Sequence, residues 1–168
     1  GPLNDELHGG GNDDELVGNE GDDFLEGDSG DDELNGGIGN DRLDGGDDAD
    51  SIVAGDGADF LAGGEGDDEL DGQKGDDIIL GGSGDDTIDG DVGNDVLVGD
   101  GDFSASQLAG ILRDGFLPTH KVAAAGGSGR DNITGDRGDD LIYGGGGNDT
   151  IDAGQGDDVV FGNSGDDQ

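Results

Sequence analysis

The sequence predicts an all-β solenoid, a fold in which one short strand and one turn repeat along the chain. Two observations predict it. An aliphatic residue returns every nine positions, and an aspartate stands two positions before each of them. Glycine occupies 42 of the 168 positions and clusters between these pairs, as expected for tight turns. A fixed period of this kind is typical of repeat architectures.

The aliphatic positions keep their phase through two blocks. The first block contains Leu7, Leu16, Leu25, Leu34, Leu43, Ile52, Leu61, Leu70, Ile79, Ile88 and Leu97, and the second contains Ile133, Ile142, Ile151 and Val160. We expect each of them to point inward from a three-residue strand while its two neighbours point outward. Low-complexity sequence without a fold does not hold phase over this length.

Composition excludes several classes of protein. The formal net charge is −39, and only 28% of the residues are hydrophobic, which alone would be typical of a disordered chain. The same charge repels nucleic acid and anionic lipid. No apolar run is long enough to span a bilayer, and the absence of cysteine excludes disulfides and thiolate zinc sites. We therefore expect no nucleic-acid partner and no membrane insertion.

The repeating unit is clearest at residues 63–71, GGEGDDELD, and 81–89, GGSGDDTID. It resembles the nonapeptide G-G-x-G-x-D-x-U-x of the RTX (repeats-in-toxin, or hemolysin-type) family of secreted bacterial proteins. The resemblance covers nearly the whole chain and implies a parallel β-roll, in which two strands and two turns make one coil. Asn12 and Asp48 replace the fourth-position glycine, and Ala54 and Ala153 replace the first. We expect weaker metal binding at those turns.

The turns are expected to bind a cation. The aliphatic core is small for a chain of this length, and the stacked carboxylates repel one another. Carboxylate and carbonyl oxygens, without histidine or cysteine nearby, select Ca²⁺ over transition metals. Mg²⁺ suits the site less well because it dehydrates reluctantly and requires a stricter octahedron.

The resemblance implies where the calcium ions lie. Each would sit between two turns on the same edge of the roll, two repeats apart, as with Asp23 and Asp41 or Asp68 and Asp86. Both sixth-position aspartates and the turn carbonyls would bind it, for about twelve ions in all. The candidate aspartates are Asp14, Asp23, Asp32, Asp41, Asp50, Asp59, Asp68, Asp77, Asp86, Asp95, Asp131, Asp140, Asp149, Asp158 and Asp167. The candidate carbonyls belong to Gly63, Gly64, Gly66, Gly72, Gly75, Gly81, Gly82, Gly84, Gly90, Gly93, Gly135, Gly138, Gly144, Gly145 and Gly147.

The fifth-position acids are interpreted differently. These acids, each directly before a candidate ligand, are Asp13, Asp22, Asp67, Asp76 and Asp85. We expect them to form a solvated acidic surface.

One interruption divides the repeats. Residues 1–98 form the first block, 99–125 an insertion and 126–168 the second block. Within the insertion, Ser104 and Gln107 match a capping box, and Leu108, Ile111 and Leu112 share one helical face. The insertion therefore predicts a short helix over about 105–114, ended by the following glycine and proline.

The outward positions indicate how the two blocks are joined. With the repeats counted from that of Leu7, the outward residues of the odd-numbered repeats become apolar toward the break. Beyond the break, the outward residues of every second repeat are again apolar. The apolar outward residues are Phe60, Ala62, Ile78, Leu80, Val96, Val98, Leu141, Tyr143, Val159 and Phe161. If the Ile133 strand directly succeeds the Leu97 strand, this whole set lies on one sheet. This favours one continuous roll with the helix packed on that sheet. The alternative is an interface for a partner or a second copy of the chain, and the two can coexist.

No catalytic constellation is present in the sequence. Neither His8 nor His120 belongs to an H-E-x-x-H motif, and G-x-S-x-G and P-loop motifs are missing. We expect both histidines to be plain surface residues. The residues expected to be isolated surface cations are Arg42, Lys74, Arg130 and Arg137. The sequence therefore predicts a protein that is not an enzyme.

The function we expect is that of a calcium-binding RTX module that folds on Ca²⁺ binding and serves as a scaffold in a larger secreted protein. The resemblance implies type I secretion from a Gram-negative cell, with folding outside, either in the medium or at the cell surface. We expect the chain to be a fragment of that larger polypeptide. Three kinds of parent stay open: a secreted protease, lipase or alginate epimerase; a pore-forming or adenylate cyclase toxin; and an adhesin or surface-layer rod.

Overall fold

Each nonapeptide contributes one strand and one turn in the computed structural model, which describes residues 1–100 and 129–168. The strands of these ranges are β1 (Glu6–Gly11), β2 (Glu15–Glu20), β3 (Phe24–Ser29), β4 (Glu33–Ile38), β5 (Arg42–Asp47), β6 (Ser51–Asp56), β7 (Phe60–Glu65), β8 (Glu69–Lys74), β9 (Ile78–Ser83), β10 (Thr87–Asp89), β11 (Val96–Asp100), β12 (Asn132–Thr134), β13 (Leu141–Gly146), β14 (Thr150–Asp152) and β15 (Val159–Ser164). The described ranges contain no helix, and the helix predicted over 105–114 lies outside them.

Successive strands alternate between two parallel sheets. The odd-numbered strands form an eight-stranded sheet in the order β1-β3-β5-β7-β9-β11-β13-β15, and the even-numbered strands form a seven-stranded sheet from β14 to β2. Equivalent repeat positions face each other, as Leu43 faces Leu61. The expected parallel β-roll is therefore confirmed.

The core is the aliphatic row between the sheets. From Leu25 to Ile142 these side chains are at most 1% exposed. The row loosens at the outer coils, where Leu7, Leu16 and Ile151 are partly buried and Val160 is 44% exposed. An outermost coil has a neighbour on one side only, which explains the loss of burial.

Both sheets keep their register from one described range to the next. Ile88 of β10 faces Ile133 of β12, and Leu97 of β11 faces Ile142 of β13. The apolar outward residues lie on the eight-stranded sheet on both sides of the break, where Val96, Val98, Leu141 and Tyr143 form a second buried cluster. Strand β11 extends to Asp100, two residues past the predicted end of the first block.

The expected strand length is wrong for most repeats. Only β10, β12 and β14 have three residues, whereas most of the others have six and run on through the glycines of the turn. The turns of successive coils stack, so their backbone N–H and C=O groups continue the ladder of the sheet.

The first and second glycines of the repeat, both expected to allow tight turns, have different roles. Gly64, at the second position, has φ of 123°, which an L-residue rarely adopts. Its neighbour Gly63 is not left-handed. There a Cβ would overlap Asp68 Oδ2 and lie 2.6 Å from the carbonyl oxygen of Gly81. The first glycine therefore keeps space open inside the turn for oxygen atoms.

Candidate metal centre

The sixth-position aspartates lie inside the turns. From Asp23 to Asp149 each is at most 3% exposed. Asp14 and Asp158 are half-buried and Asp167 is exposed, because they belong to the outermost coils. Each aspartate directly precedes its strand, and its carboxylate folds back over the first glycine of its own turn. The regular period therefore produces one column of buried carboxylates along each edge of the roll.

One oxygen of each carboxylate joins a ladder that runs along the column. The backbone N–H of Asp50 donates to Asp68 Oδ1 at 2.8 Å, and the N–H of Asp68 donates to Asp86 Oδ1 at 3.0 Å. The ladder continues across the break, where the N–H of Asp86 donates to Asp131 Oδ1 at 3.1 Å. This ladder fixes the direction of every side chain in the column.

The second oxygen is buried and without a hydrogen-bond partner among the described residues. It is the Oδ2 atom of Asp23, Asp32, Asp41, Asp50, Asp59, Asp68, Asp77, Asp86, Asp95, Asp131, Asp140 and Asp149. A buried charge without a partner is strongly unfavourable unless a cation neutralises it. Around Asp68 Oδ2 the nearby groups are the backbone of Gly63 and the carbonyl oxygen of Gly81, so the donors are hard oxygens. Such donors fit Ca²⁺.

Burial strongly raises the pKa of these carboxyl groups. It raises the pKa of Asp95 to about 8, the pKa of Asp50 to about 7 and the pKa of Asp68 to about 6. Hydrogen bonds from the ladder N–H groups oppose the shift, and neighbouring carboxylates add to it. The folded chain therefore holds its acids in an environment that disfavours their charge, and a bound cation would remove that cost.

The comparison with family models gives one match. The model of the RTX calcium-binding nonapeptide repeat matches residues 1–34, 8–43, 35–70, 44–79, 71–103, 125–160 and 144–168. The chain belongs to this family. No curated protein and no solved structure matches the chain.

The RTX repeats are calcium-binding, which agrees with the oxygen-only donor set of the turns. RTX repeat proteins are typically secreted by type I systems. In the described ranges of this RTX chain, no helix is long and apolar enough to cross a membrane.

The candidate glycines stack in columns along the two edges of the RTX roll. The first-position carbonyl, as at Gly81, lies close to a free carboxylate oxygen. Second-position glycines stack on one another, as Gly82 does on Gly64, and so do fourth-position glycines, as Gly84 does on Gly66. The assignment of the second- and fourth-position carbonyls as ligands stays a prediction.

The fifth-position acids are exposed, but they are more than a solvated surface. Asp67 Oδ1 accepts a hydrogen bond from the N–H of Asp85 at 2.9 Å, and Asp76 Oδ1 accepts one from the N–H of Asn94 at 3.0 Å. They form a second ladder outside the first. The asparagines that share this position, such as Asn94, are the signal in the sequence that could have indicated it.

The expectation of isolated cations is wrong for Arg42, Lys74 and Arg130. The Arg42 guanidinium lies 5.6 Å from the ring centre of Phe24 and 5.1 Å from that of Phe60, on neighbouring strands. Lys74 Nζ lies 2.6 Å from Asp56 Oδ1, and the Arg130 guanidinium lies 2.8 Å from an Asp85 carboxylate oxygen. Each cation links two coils, because residues eighteen positions apart become neighbours in a roll, or 45 positions apart where the insertion intervenes, as for Arg130 and Asp85.

Side-chain clusters outside the turns are exposed or half-exposed. His8 Nε2 lies 3.2 Å from Glu6 Oε1 and Nδ1 lies 2.7 Å from Glu26 Oε2, and these two contacts raise the pKa of the His8 ring. His8, Glu26 and Asp28 bring their ligand atoms within 4.8 Å of one another. His8 is a surface residue, as expected, but it is paired with carboxylates.

The sequence analysis missed one buried acid. Asp100 occupies a second position, where glycine is usual, and is 0% exposed. Its Oδ1 atom has no hydrogen-bond partner in the described part of the chain. Acids also occupy the second position elsewhere in the repeat, so the sequence alone did not distinguish this one.

Proposed function

We propose that the chain is a calcium-dependent folding module in which Ca²⁺ binding supplies the free energy that the small core lacks. The observation that carries the proposal is the column of buried Oδ2 atoms without partners. Membership of the RTX family supports calcium as the ion. The bound ion would neutralise the aspartates of two stacked turns, whose ladder bonds hold the carboxylates in place.

The proposed ligands are the sixth-position aspartates and the turn glycines named from the sequence, with about twelve ions in all. Metal-free, the like charges would keep the chain open. Because the site exists only in the folded chain, the free energy of binding becomes free energy of folding. Nothing in this role requires catalysis.

The test is a calcium titration of the metal-stripped chain, followed by far-UV circular dichroism and sedimentation velocity, with Mg²⁺ as the control. We expect a cooperative change from coil to β-structure with Ca²⁺ alone. A stripped chain that is already fully folded, or a chain that stays unfolded at every Ca²⁺ concentration, would contradict the proposal.

We also propose that the module acts outside the cell, as a scaffold within a larger secreted polypeptide. The support is the family, whose members are typically exported by type I systems. A calcium-poor cytosol would keep the chain open until export, and extracellular calcium would then fold it. An accessory module of a secreted enzyme and the rod of an adhesin or surface-layer protein both fit this role.

The apolar face of the eight-stranded sheet is a separate question. We propose that the segment between Asp100 and Gly129 covers it, because Asp100 ends the strand that carries Val98, and the outward side chains of Val98 and Tyr143 are only 0% and 2% exposed. Self-association of two chains through this face is the competing outcome.

A deletion separates the two outcomes. Gly99 and Asp100 are the first two residues of a turn that Gly129 resumes at its fourth position, so a single glycine in place of residues 101–128 restores one ordinary nonapeptide. We expect the shortened chain to fold with Ca²⁺, to bind a hydrophobic dye and to sediment as a larger species. The full-length chain should remain monomeric. Equal dye binding and equal sedimentation would contradict the covering role of the segment.

A further inference from the structure

Asp100 stands at an irregular turn. Residues 101–128 take the place of the single third-position residue between Asp100 and Gly129. The turn then continues normally through Arg130 to Asp131, whose carboxylate accepts a ladder bond from the N–H of Asp86. The roll must therefore bring the two sides of this turn together without the usual short connection.

The Asp100 carboxylate joins these two sides. Its Oδ2 atom accepts a hydrogen bond from the N–H of Gly129 at 2.7 Å, in a fully buried setting. Its Oδ1 atom is buried and lacks a hydrogen-bond partner in residues 1–100 and 129–168. The turn thus accounts for one oxygen of the carboxylate and leaves the other without a hydrogen-bond partner among the described residues.

Other carboxylates act on Asp100 electrostatically. Burial raises the pKa of Asp100, the backbone N–H groups of Gly129 and Gly146 lower it, and the negative charge of Asp149 raises it. The charge of Asp100 in turn contributes to the raised pKa of Asp131. Asp131 Oδ2 also lacks a hydrogen-bond partner among the described residues, and the Gly144 carbonyl lies next to it, at the first glycine of this turn.

The other acids at the second position do not share this placement. Asp28, Asp91 and Asp136 have φ of 74°, 65° and 66°, and each is exposed or half-exposed. Asp100 instead continues strand β11, where it pairs with Gly82, and is not left-handed. This difference in backbone conformation accompanies a difference in burial, since Asp100 is 0% exposed.

We propose that Asp100 is an additional calcium ligand at the turn of Asp131, where its Oδ1 atom joins Asp131 Oδ2 and the Gly144 carbonyl. This proposal rests on the proposed function and adds a third carboxylate where the repeat supplies two. Affinity for Ca²⁺ rises with the number of charged ligands, so this ion should be held more tightly than those of the regular turns. The same ion would fasten the two sides of the interrupted turn.

The experiment compares the complete chain with Asp100→Asn and with the matched control Asp136→Asn. The D100N amide oxygen can still accept the Gly129 N–H bond, so the variant removes the charge and keeps the hydrogen bond. The control removes one exposed charge from the same repeat position. Isothermal titration gives the number of ions bound, and stopped-flow mixing with a fluorescent chelator gives their release rates.

We expect the wild-type chain and D136N to release one ion more slowly than the rest. In D100N this slow phase should be lost or accelerated by about tenfold or more. Identical stoichiometry and release rates in D100N and D136N would overturn the proposal. A wild-type chain that binds no calcium would instead overturn the proposed function itself.

If D100N folds poorly, a second variant, Asp100→Glu, distinguishes the two possible causes because it restores the charge on a longer side chain. Recovery of calcium-dependent folding and of the slow release phase in D100E supports a ligand role. A defect that D100E does not repair would show that Asp100 serves the turn alone, and would overturn the proposal.

Discussion

Replacement of one buried aspartate should change the stability of the roll in opposite directions with and without calcium. Asp68 is 2% exposed, its Oδ1 atom accepts the Asp50 N–H bond at 2.8 Å, and its Oδ2 atom has no hydrogen-bond partner among the described residues. Asp68→Asn keeps an acceptor for the ladder and removes the charge. The control is Asp67→Asn, because Asp67 is exposed and accepts an equivalent bond from Asp85 at 2.9 Å.

The magnitude follows from the burial of this carboxyl. Its pKa is raised from 3.8 to about 6, so ionised Asp68 costs the metal-free roll about 3 kcal/mol at pH 8. D68N removes that cost. With Ca²⁺ at about a hundred times its Kd, each site contributes about 2.7 kcal/mol. Asp68 faces a turn on each side, so the loss of two sites removes about 5 kcal/mol, and the net destabilisation is about 2 kcal/mol.

Two measurements check this change of sign. The metal-free chain is folded with a stabilising osmolyte at pH 8, and D68N should need less of it than wild type. In excess calcium, urea unfolding should show D68N to be less stable. D67N should stay within about 0.5 kcal/mol of wild type in both conditions. The same sign for D68N in both conditions, or equal effects of the two variants, would refute the reasoning.

Two further predictions concern pH and the aromatic contacts. The metal-free folded state should become more stable as pH falls from 8 to 5. Burial raises the pKa of Asp50 to about 7 and that of Asp95 to about 8, so the folded chain binds more protons than the unfolded chain over this range. The calcium midpoint, followed by circular dichroism, should rise over the same range because protons compete with Ca²⁺; a constant midpoint would contradict this. Arg42→Gln should lose about 1–2 kcal/mol in urea unfolding with calcium, since Arg42 lies between the rings of Phe24 and Phe60; unchanged stability would contradict a cation–π role.

Most of the fold could be predicted from the nine-residue period of the sequence. An aliphatic residue every nine positions fixes one strand per repeat, and the alternation of apolar outward residues places Val98 and Tyr143 on the same sheet. The buried carboxylates follow from the same period, since each aspartate stands two residues before a core residue such as Leu61. These features are local or strictly periodic, so they can be predicted without coordinates.

The remaining features depend on contacts between coils. Six-residue strands arise because the glycine backbone of one coil pairs with the next, which no single repeat can show. The space that Gly63 leaves beside Asp68 Oδ2 is visible only once the turn is closed. The burial of Asp100 depends on the backbone angles of an interrupted turn, whereas Asp28 and Asp136 are acids at the same repeat position that are exposed.

The ladder of aspartates gives the roll a molecular polarity. Every bond in it runs the same way, from a backbone N–H to the carboxylate of the coil that follows in the sequence, as from Asp59 to Asp77 at 2.8 Å. The outer ladder of fifth-position residues runs the opposite way, as from the N–H of Asp85 to Asp67 Oδ1. Each face of a coil therefore offers both N–H donors and carboxylates, but at different repeat positions. A coil added in the reverse orientation would place inner donors against inner donors and inner carboxylates against inner carboxylates, so the two ladders fix the direction in which every coil is stacked.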